Sequence, residues 1–278
     1  IVIIWRSSRV INFAQAGLAL FSTYIGYECV KVIGNYWIAL PIAVIAGALI
    51  ASMIEFLFMR FLAKLHINSP ISAVAPIIVT LGLLGIIRAS IAFIWGGQEL
   101  RIAAPLSNIG YSIGDKTLVF SPMKLMILFS VLIVLLILGI IFQRTNLGLA
   151  LKASSFAPEI SKLSGLKVDL IRNIGWALSG GVAALAGLLQ TANGSGSISP
   201  EALEFAILLV SGFIAAVIGG LESLIGAVFG GLLLGTLVSF ALMYIDGGLF
   251  FIAPLFILIM VLIFRPRGLF APKAGRHA

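Results

Sequence analysis

The stretch from Gln143 to Arg172, QRTNLGLALKASSFAPEISKLSGLKVDLIR, decides how this chain is read. Apolar runs of about membrane-spanning length flank it on both sides. It carries Arg144, Lys152, Lys162, Lys167 and Arg172, five of the eighteen basic residues. A polar, basic interruption between two spans is a loop. Within it, residues 149–163 pattern as one short amphipathic helix, which suggests a surface shaped for another protein. The alternative is a solvated connector whose charge only fixes topology.

Composition agrees with the flanks. Hydrophobic residues make up 61% of the chain and charged residues 10%, whereas soluble domains carry about 25% charged residues. Such a chain cannot cover a water-exposed surface, so it reads as an integral membrane protein. Helices are favoured over a barrel because the apolar runs are long and continuous, where barrel strands would alternate over about ten residues. No Pro/Ser-rich linker divides the chain, so residues 1–278 form one all-α transmembrane domain with the 143–172 loop inside it. The net charge of +8 implies topology and anionic lipid rather than nucleic acid. Cys29 is alone, so no intrachain disulfide forms, and no metal-ligand cluster is visible. His66 and His277 are isolated loop residues. The opening IVIIW reads as the end of a helix already under way, and points to a missing first span rather than a signal peptide.

About eight spans are expected: 18–34, 36–59, 73–95, 122–142, 171–191, 203–219, 226–244 and 248–264. Alternating them sorts the cations into two sets. One side takes Arg6, Arg9, Arg60, Lys64, the five of the long loop, and Arg265, Arg267, Lys273 and Arg276; the other takes Lys31, Arg101, Lys116 and Lys124. That bias places the long loop and the C-terminus in the cytoplasm. The loop 98–116 and the segment NGSGSISPEALE, 193–204, are then extracytoplasmic.

Catalytic patterns are missing. The nearest string to a phosphate loop is GYSIGDKT, 110–117, where Asp115 intervenes before Lys116. Ionisable residues inside spans are few, and each costs at least ~2.5–3.5 kcal/mol to insert. Glu55 and Arg60 read as an interfacial ion pair or as snorkelling side chains. Arg88 either reaches the outer interface or lines a cavity. Gly226-x3-Gly230 and Gly231-x3-Gly235 place small residues on one helical face, a device for close packing or for a helix that slides. Two polar breaks stand out. INFAQAG, 11–17, puts Asn12, Gln15 and Gly17 in an apolar context; GGLESLIG, 219–226, does the same with Gly219, Gly220, Glu222 and Ser223. Such breaks point to discontinuous helices along a substrate path, the alternative being two ordinary turns.

These residues carry a resemblance. INFAQAGLALFSTYIGY resembles the opening of permease subunits in branched-chain amino acid ABC importers. The loop is similar to the signature of that family at Gly148–Ala150, Lys152–Ala153 and Ser164–Lys167, followed by ALSGGVAALAGLL, 177–189. AAVIGGLESLIGAVFGGLLLG, from Ala215, and the terminal FRPRGLF, 264–270, match two further motifs, so the likeness runs in order along the chain. Three departures are visible: Ala14-Gln15-Ala16 where a His often precedes the Gly, Pro158 inside the presumed coupling helix, and Glu222 where a small or apolar residue is usual.

The resemblance implies a polytopic permease in the plasma (inner) membrane that forms the path for branched-chain or related amino acids. It implies a second permease subunit, identical or homologous, two cytoplasmic ATPase subunits and an extracytoplasmic solute-binding protein. The chain would hold no cofactor of its own, ATP and Mg residing on the ATPases. Residues 152–164 would enter the ATPase cleft, with Leu151, Ala153, Ile160 and Leu163 as apolar contacts, Lys152 and Glu159 beside them, and Gly165 ending the helix. Asn12, Gln15, Gly17, Gly219, Gly220, Glu222 and Ser223 would border the path. Two other readings remain at this stage: a passive channel or secondary carrier for small neutral solutes such as urea or amides, and a membrane scaffold subunit.

Overall fold

The computed structural model describes residues 1–64, 71–113, 116–117, 120–245, 252–265 and 268–270. His66, Asp115, Arg267, Lys273, Arg276, His277 and the beginning of the last expected span lie outside the described residues. Helix follows helix from the first residues: α1 (Val2–Ser8), α2 (Gln15–Ile33), α3 (Tyr36–Ile54), a π-helical turn (Glu55–Met59), α4 (Arg60–Lys64), α5 (Ile71–Trp95) and α6 (Pro122–Arg144). The loop holds α7 (Asn146–Phe156) and α8 (Pro158–Leu163). After it come α9 (Val168–Asn193), α10 (Leu203–Gly219), α11 (Leu224–Tyr244) and α12 (Ile252–Phe264). Four two-residue strands, β1 (Leu100–Arg101), β2 (Ser112–Ile113), β3 (Lys116–Thr117) and β4 (Ser197–Ile198), lie in the connections.

Six of these segments are long and apolar enough to cross a membrane: Gln15–Ile33, Tyr36–Leu62, Val74–Trp95, Pro122–Arg144, Val168–Asn193 and Leu224–Tyr244. Leu203–Gly219 and Ile252–Phe264 are apolar but shorter. The eight correspond one for one to the expected spans. Short polar side chains set where several begin. Asn35 accepts from the Trp37 amide, Ser121 from Lys124, Thr145 from Gly148 and Ser223 from Gly226, each at the N-terminus of the helix that follows. Each of these caps satisfies one of the amides that a helix start leaves without an intrahelical partner.

The centre of the bundle is α2, α3 and α9, and small residues let them close up. A Cβ on Gly180 would meet the carbonyl of Gly47 and the side chain of Ala51. Gly187 fits against Thr23 and the carbonyl of Ala19, and Gly26 against Leu188. Apolar side chains gain nothing by leaving lipid for each other, so contact between backbones is what holds such helices together. α9 is buried along most of its length, while α6 exposes Phe129, Leu132, Ile133 and Leu136. Of the two small-residue motifs on α11, one packs. Gly226 and Gly230 lie against the backbones of Gly219 and Ala215, whereas Gly235 faces open space.

Backbone and side-chain contacts sort the connections into two ends. At one end Leu100 and Arg101 pair antiparallel with Ile198 and Ser197, and Asn108 Nδ2 donates to the Ala192 carbonyl. Residues 98–113 and the 193–204 segment therefore share an end, as the alternation of spans requires. At the other end Arg6 lies over Phe142, Arg9 over Phe156, and Arg172 reaches Glu55. The Leu269 amide donates to the Ile218 carbonyl, tying the tail into this same end.

The loop differs from its expected form. One amphipathic helix over 149–163 was anticipated; two helices form, starting three residues earlier and separated at Ala157 (φ −139°, ψ 75°). Pro158 has no amide hydrogen and disfavours helical backbone before it, so α7 ends there and Pro158 opens α8. Gly165, at φ 82°, closes α8 with two bonds: Gly165 N to Lys162 O and Leu166 N to Ser161 O, both 3.0 Å. This left-handed backbone favours glycine, and the bond pair is a Schellman stop.

Candidate functional site

The segment between α1 and α2 is shaped by two amides. Asn12 is buried; its Oδ1 accepts from the Ala14 amide at 2.9 Å, and its Nδ2 donates to Gln15 Oε1 at 3.2 Å. Gln15 Nε2 donates in turn to the carbonyl of Ser179 at 2.9 Å and to Ser179 Oγ at 3.1 Å. The chain break is thus fastened to the middle of α9. No side chain caps the first turn of α2, which starts beside this cluster.

A cavity of about 320 Å³ opens here, walled by α1, α2, α6, α9, α10 and α11. Ile1, Val2, Ala183, Phe205, Leu209 and Ala227 give it an apolar lining, and Gln15 and Ser179 are its polar side chains. A second cavity, about 440 Å³, lies toward the loop end and is lined by Arg6, Gln143, Glu222, Ser223 and Phe270 among others. The two share Leu135, Leu224 and Val228. Burial lowers the pKa of the Arg6 guanidinium, and the nearby Glu222 carboxylate raises it.

Not every expected path residue faces these cavities. Gly17 packs toward α5, where an added Cβ would stand 3.1 Å from Leu84 Cδ1. Gly219 meets Gly226 backbone to backbone, and Gly220 (φ 93°) lies against Gly268, so both shape the α10–α11 turn. Asn12 is a turn-former with a buried side chain. Ser223 caps α11 and lines the second cavity. Glu222 lines it too, but as one half of an ion pair with Arg9 at 2.6 Å. Arg9, two residues ahead of the first polar break, therefore meets the second break 213 residues away.

Arg9 is unusual in another way. Among the described residues it is the one non-glycine residue with positive φ, 55°, at the end of α1. Left-handed backbone costs a residue with a Cβ about 1 kcal/mol or more.

Loop residues divide by exposure. Lys152, Ala153, Glu159 and Gly165 are exposed, as are Ile160 at 66% and Leu163 at 88%. Leu151 is not: at 1% exposure it packs in a cluster with Ile3, Phe142 and Ile171, so it anchors α7 and offers no contact surface. Helical periodicity marks Leu151 as apolar but cannot tell a core face from a docking face.

The Glu55–Arg60 pair does not form. Glu55 is fully buried and bonds to Arg172 on α9, with Asn173 and Ser52 completing the cluster, while Arg60 stacks on Phe56 at 4.9 Å. Arg88 is half-buried on α5, its Nε enclosed without a hydrogen-bond partner among the described residues. Ser179, Phe156 and Arg172 were not singled out from sequence as site residues. The signal available for Ser179 was a hydroxyl within ALSGGVAALAGLL; for Arg172, a cation one helical turn inside α9.

Comparison with known proteins follows the same line. The model of the family described as "Branched-chain amino acid transport system / permease component" matches residues 1–264. The probable branched-chain amino acid transport permease protein LivH of Methanocaldococcus jannaschii is 29% identical, over 86% of this chain and 74% of its own. The high-affinity branched-chain amino acid transport system permease protein BraD of Pseudomonas aeruginosa is 25% identical, over 94% of this chain and 85% of its own. The fructose import permease protein FrcC of Rhizobium meliloti is 30% identical over 58% of this chain and 46% of its own. No solved structure matches the chain.

Proposed function

The chain belongs to the family of permease components of branched-chain amino acid transport systems, and we propose that it forms the translocation path of an ABC importer for an amino acid with an aliphatic side chain. It is a multi-pass membrane protein, with its helices supplying the permease of such a system. In this reading it pairs with a second permease subunit, identical or homologous. Two cytoplasmic ATPases bind and hydrolyse ATP with Mg, and an extracytoplasmic solute-binding protein delivers the solute. The chain itself performs no bond chemistry.

The observation that carries the proposal is the cavity at the α1–α2 break. Its wall is aliphatic and aromatic apart from Gln15 and Ser179. A branched side chain is received by the first set, and a small polar headgroup by the second together with the uncapped first turn of α2. A sugar would leave most of its hydroxyls facing hydrocarbon, each unpaired group carrying a desolvation cost of about 1–3 kcal/mol. That favours the amino acid relatives over the fructose permease as a guide to the solute.

Orientation follows from charge. The loop end, where Arg6, Arg9, Arg144 and Arg172 gather, is placed in the cytoplasm, and with it the C-terminus. There the exposed Ile160 and Leu163 of α8 would sit in the ATPase cleft, and ATPase closure would move α7 and α8 against the bundle to alternate access to the cavity. The test is uptake of labelled leucine and fructose by the assembled complex in proteoliposomes. Leucine uptake that needs ATP and the ATPases is expected. Uptake that proceeds without them would make the chain a channel or carrier instead, and fructose in place of leucine would overturn the solute assignment.

A further inference from the structure

We propose that the Arg9–Glu222 ion pair is a latch across the cytoplasmic mouth of the solute path, and that Phe156 of the loop holds it shut. The inference rests on the cavity being that path, and adds the part that closes it.

Three observations lead to it. First, the pair stands where the path ends. The cavity with Gln15 and Ser179 passes the shared residues Leu135, Leu224 and Val228 into the second cavity, and Glu222 is in that cavity's wall. The bond joins the end of α1 to the turn before α11, and both of these helices wall the first cavity. Anything leaving between them must part Arg9 from Glu222.

Second, the Arg9 side chain is placed at a backbone cost. Its φ of 55° would suit glycine, and the amide of Arg9 bonds to the Trp5 carbonyl as any residue there would. What only an arginine adds is the guanidinium. Glu222 is presented by a stiff turn: Gly219 against Gly226, Ser223 N donating to Gly220 O at 2.9 Å, and the tail bonded at Ile218.

Third, the latch has a connection to the loop. The guanidinium of Arg9 lies 4.8 Å from the centre of the Phe156 ring. Phe156 is the last residue of α7, immediately before the Ala157 break that separates α7 from α8. A swing of α8 under an ATPase moves this ring first. With the ring withdrawn, Arg9 loses the nearer of its two aromatic faces and keeps only Trp5, whose ring centre is 5.6 Å from the guanidinium. The two charges are about one-third exposed, 32% for Arg9 and 39% for Glu222, so water competes for them and the closure is one that a conformational change can break.

The experiment uses the reconstituted complex in a Cys29→Ser background with Val228→Cys as reporter, since Val228 lines both cavities. A membrane-impermeant thiol reagent is applied from the loop side without nucleotide. Slow labelling is expected with the latch intact, and several-fold faster labelling with Arg9→Gln, Glu222→Gln, or Arg9→Gly, which relieves the backbone but removes the charge. Exchanging the pair, Arg9→Glu with Glu222→Arg, is expected to slow labelling again. Phe156→Leu keeps an apolar group for docking but removes the ring face, and is expected to speed labelling too. Unchanged labelling in the single variants overturns the latch, and in Phe156→Leu alone it overturns the role of the ring. Faster labelling that tracks a fall in melting temperature and survives the charge exchange makes the pair a structural tie only, which also overturns the proposal. The path itself is tested apart from the latch: leucine should protect an Ala183→Cys reporter in the first cavity, and lack of protection sinks the path while leaving the labelling result at Val228→Cys to be read separately.

Discussion

Arg172 Nε donates to Glu55 Oε1 over 2.6 Å, and the carboxylate it meets is completely buried. Asn173 Nδ2 donates to the second oxygen of Glu55 at 3.0 Å and to the Ser52 carbonyl at 2.9 Å, while Ser52 Oγ donates to Asn173 Oδ1 at 2.7 Å. The first turns of α9, which follow directly on the loop, are thereby bound to the last turn of α3 and the π-helical turn after it. Among the described residues Glu55 is the one charged side chain with so little exposure.

Losing one partner of a buried pair strands the other charge, at about 3–5 kcal/mol. Arg172→Met is therefore expected to lower the melting temperature of the solubilised protein markedly. Glu55→Leu combined with Arg172→Met removes attraction and desolvation together, and should melt closer to the parent than the single variant does. Melting of the single variant at the parent's temperature would show that the pair does not hold this end.

Asn12 and Gln15 are neighbours with different tasks. Asn12→Leu removes the bond to the Ala14 amide and leaves Gln15 Oε1 without its donor; a loss of about 1–3 kcal/mol is expected, a buried amide being left without its acceptor, with uptake per assembled complex little changed. Gln15→Leu should lower leucine uptake severalfold while the complex still assembles. Uptake and melting temperature measured side by side separate the two.

Gly180→Ala should disturb the α3–α9 crossing, because the added Cβ runs into Gly47 and Ala51; overpacking of this kind costs about 1–3 kcal/mol. Gly235→Ala has nothing within 4 Å to meet and should be neutral or slightly stabilising, alanine being the better helix former. Thermal melting of the two variants together makes the comparison.

On the loop, an aspartate should act oppositely at two leucines. Leu151→Asp places a charge in a closed apolar cluster and is expected to abolish folded protein. Leu163→Asp, at an exposed site, should leave melting intact and weaken ATPase stimulation by solute. Normal stimulation in Leu163→Asp would remove α8 from the docking surface.

Ala103 and Ser164 are exposed residues at opposite ends of the bundle. In a Cys29→Ser background, Ala103→Cys and Ser164→Cys are expected to be labelled by impermeant reagents from opposite sides of the membrane. Labelling of both from one side would overturn the orientation read from the cations.

Spans were legible in the sequence because apolar length is a local property, and so were both breaks, because Asn12, Gln15 and Glu222 are polar among apolar neighbours. What those residues touch was not. Glu55 lies five residues from Arg60 and 117 from Arg172, yet bonds to the distant one, a choice made by how α3 crosses α9. The meeting of Arg9 with Glu222 is likewise set by packing. Pro158 was visible as an interruption, but a single apolar pattern continues through it, so the two loop helices looked like one.

The π-helical turn Glu55–Met59 lies between α3 and α4 without a stop in the helix. Such a turn takes up one residue more than regular helix would, and one residue corresponds to about 100° of rotation. The face that α3 offers to α9 and the face carried by α4 are accordingly set by separate stretches of sequence. A one-residue deletion between Phe56 and Phe58 would restore regular helix and leave α4 facing as it does now, because the extra residue is taken up within the turn, while the Ala43–Gly47–Ala51 contact stayed in place. In evolutionary terms, the loop end of this helix can change length by a residue without shifting the register of its membrane-embedded half.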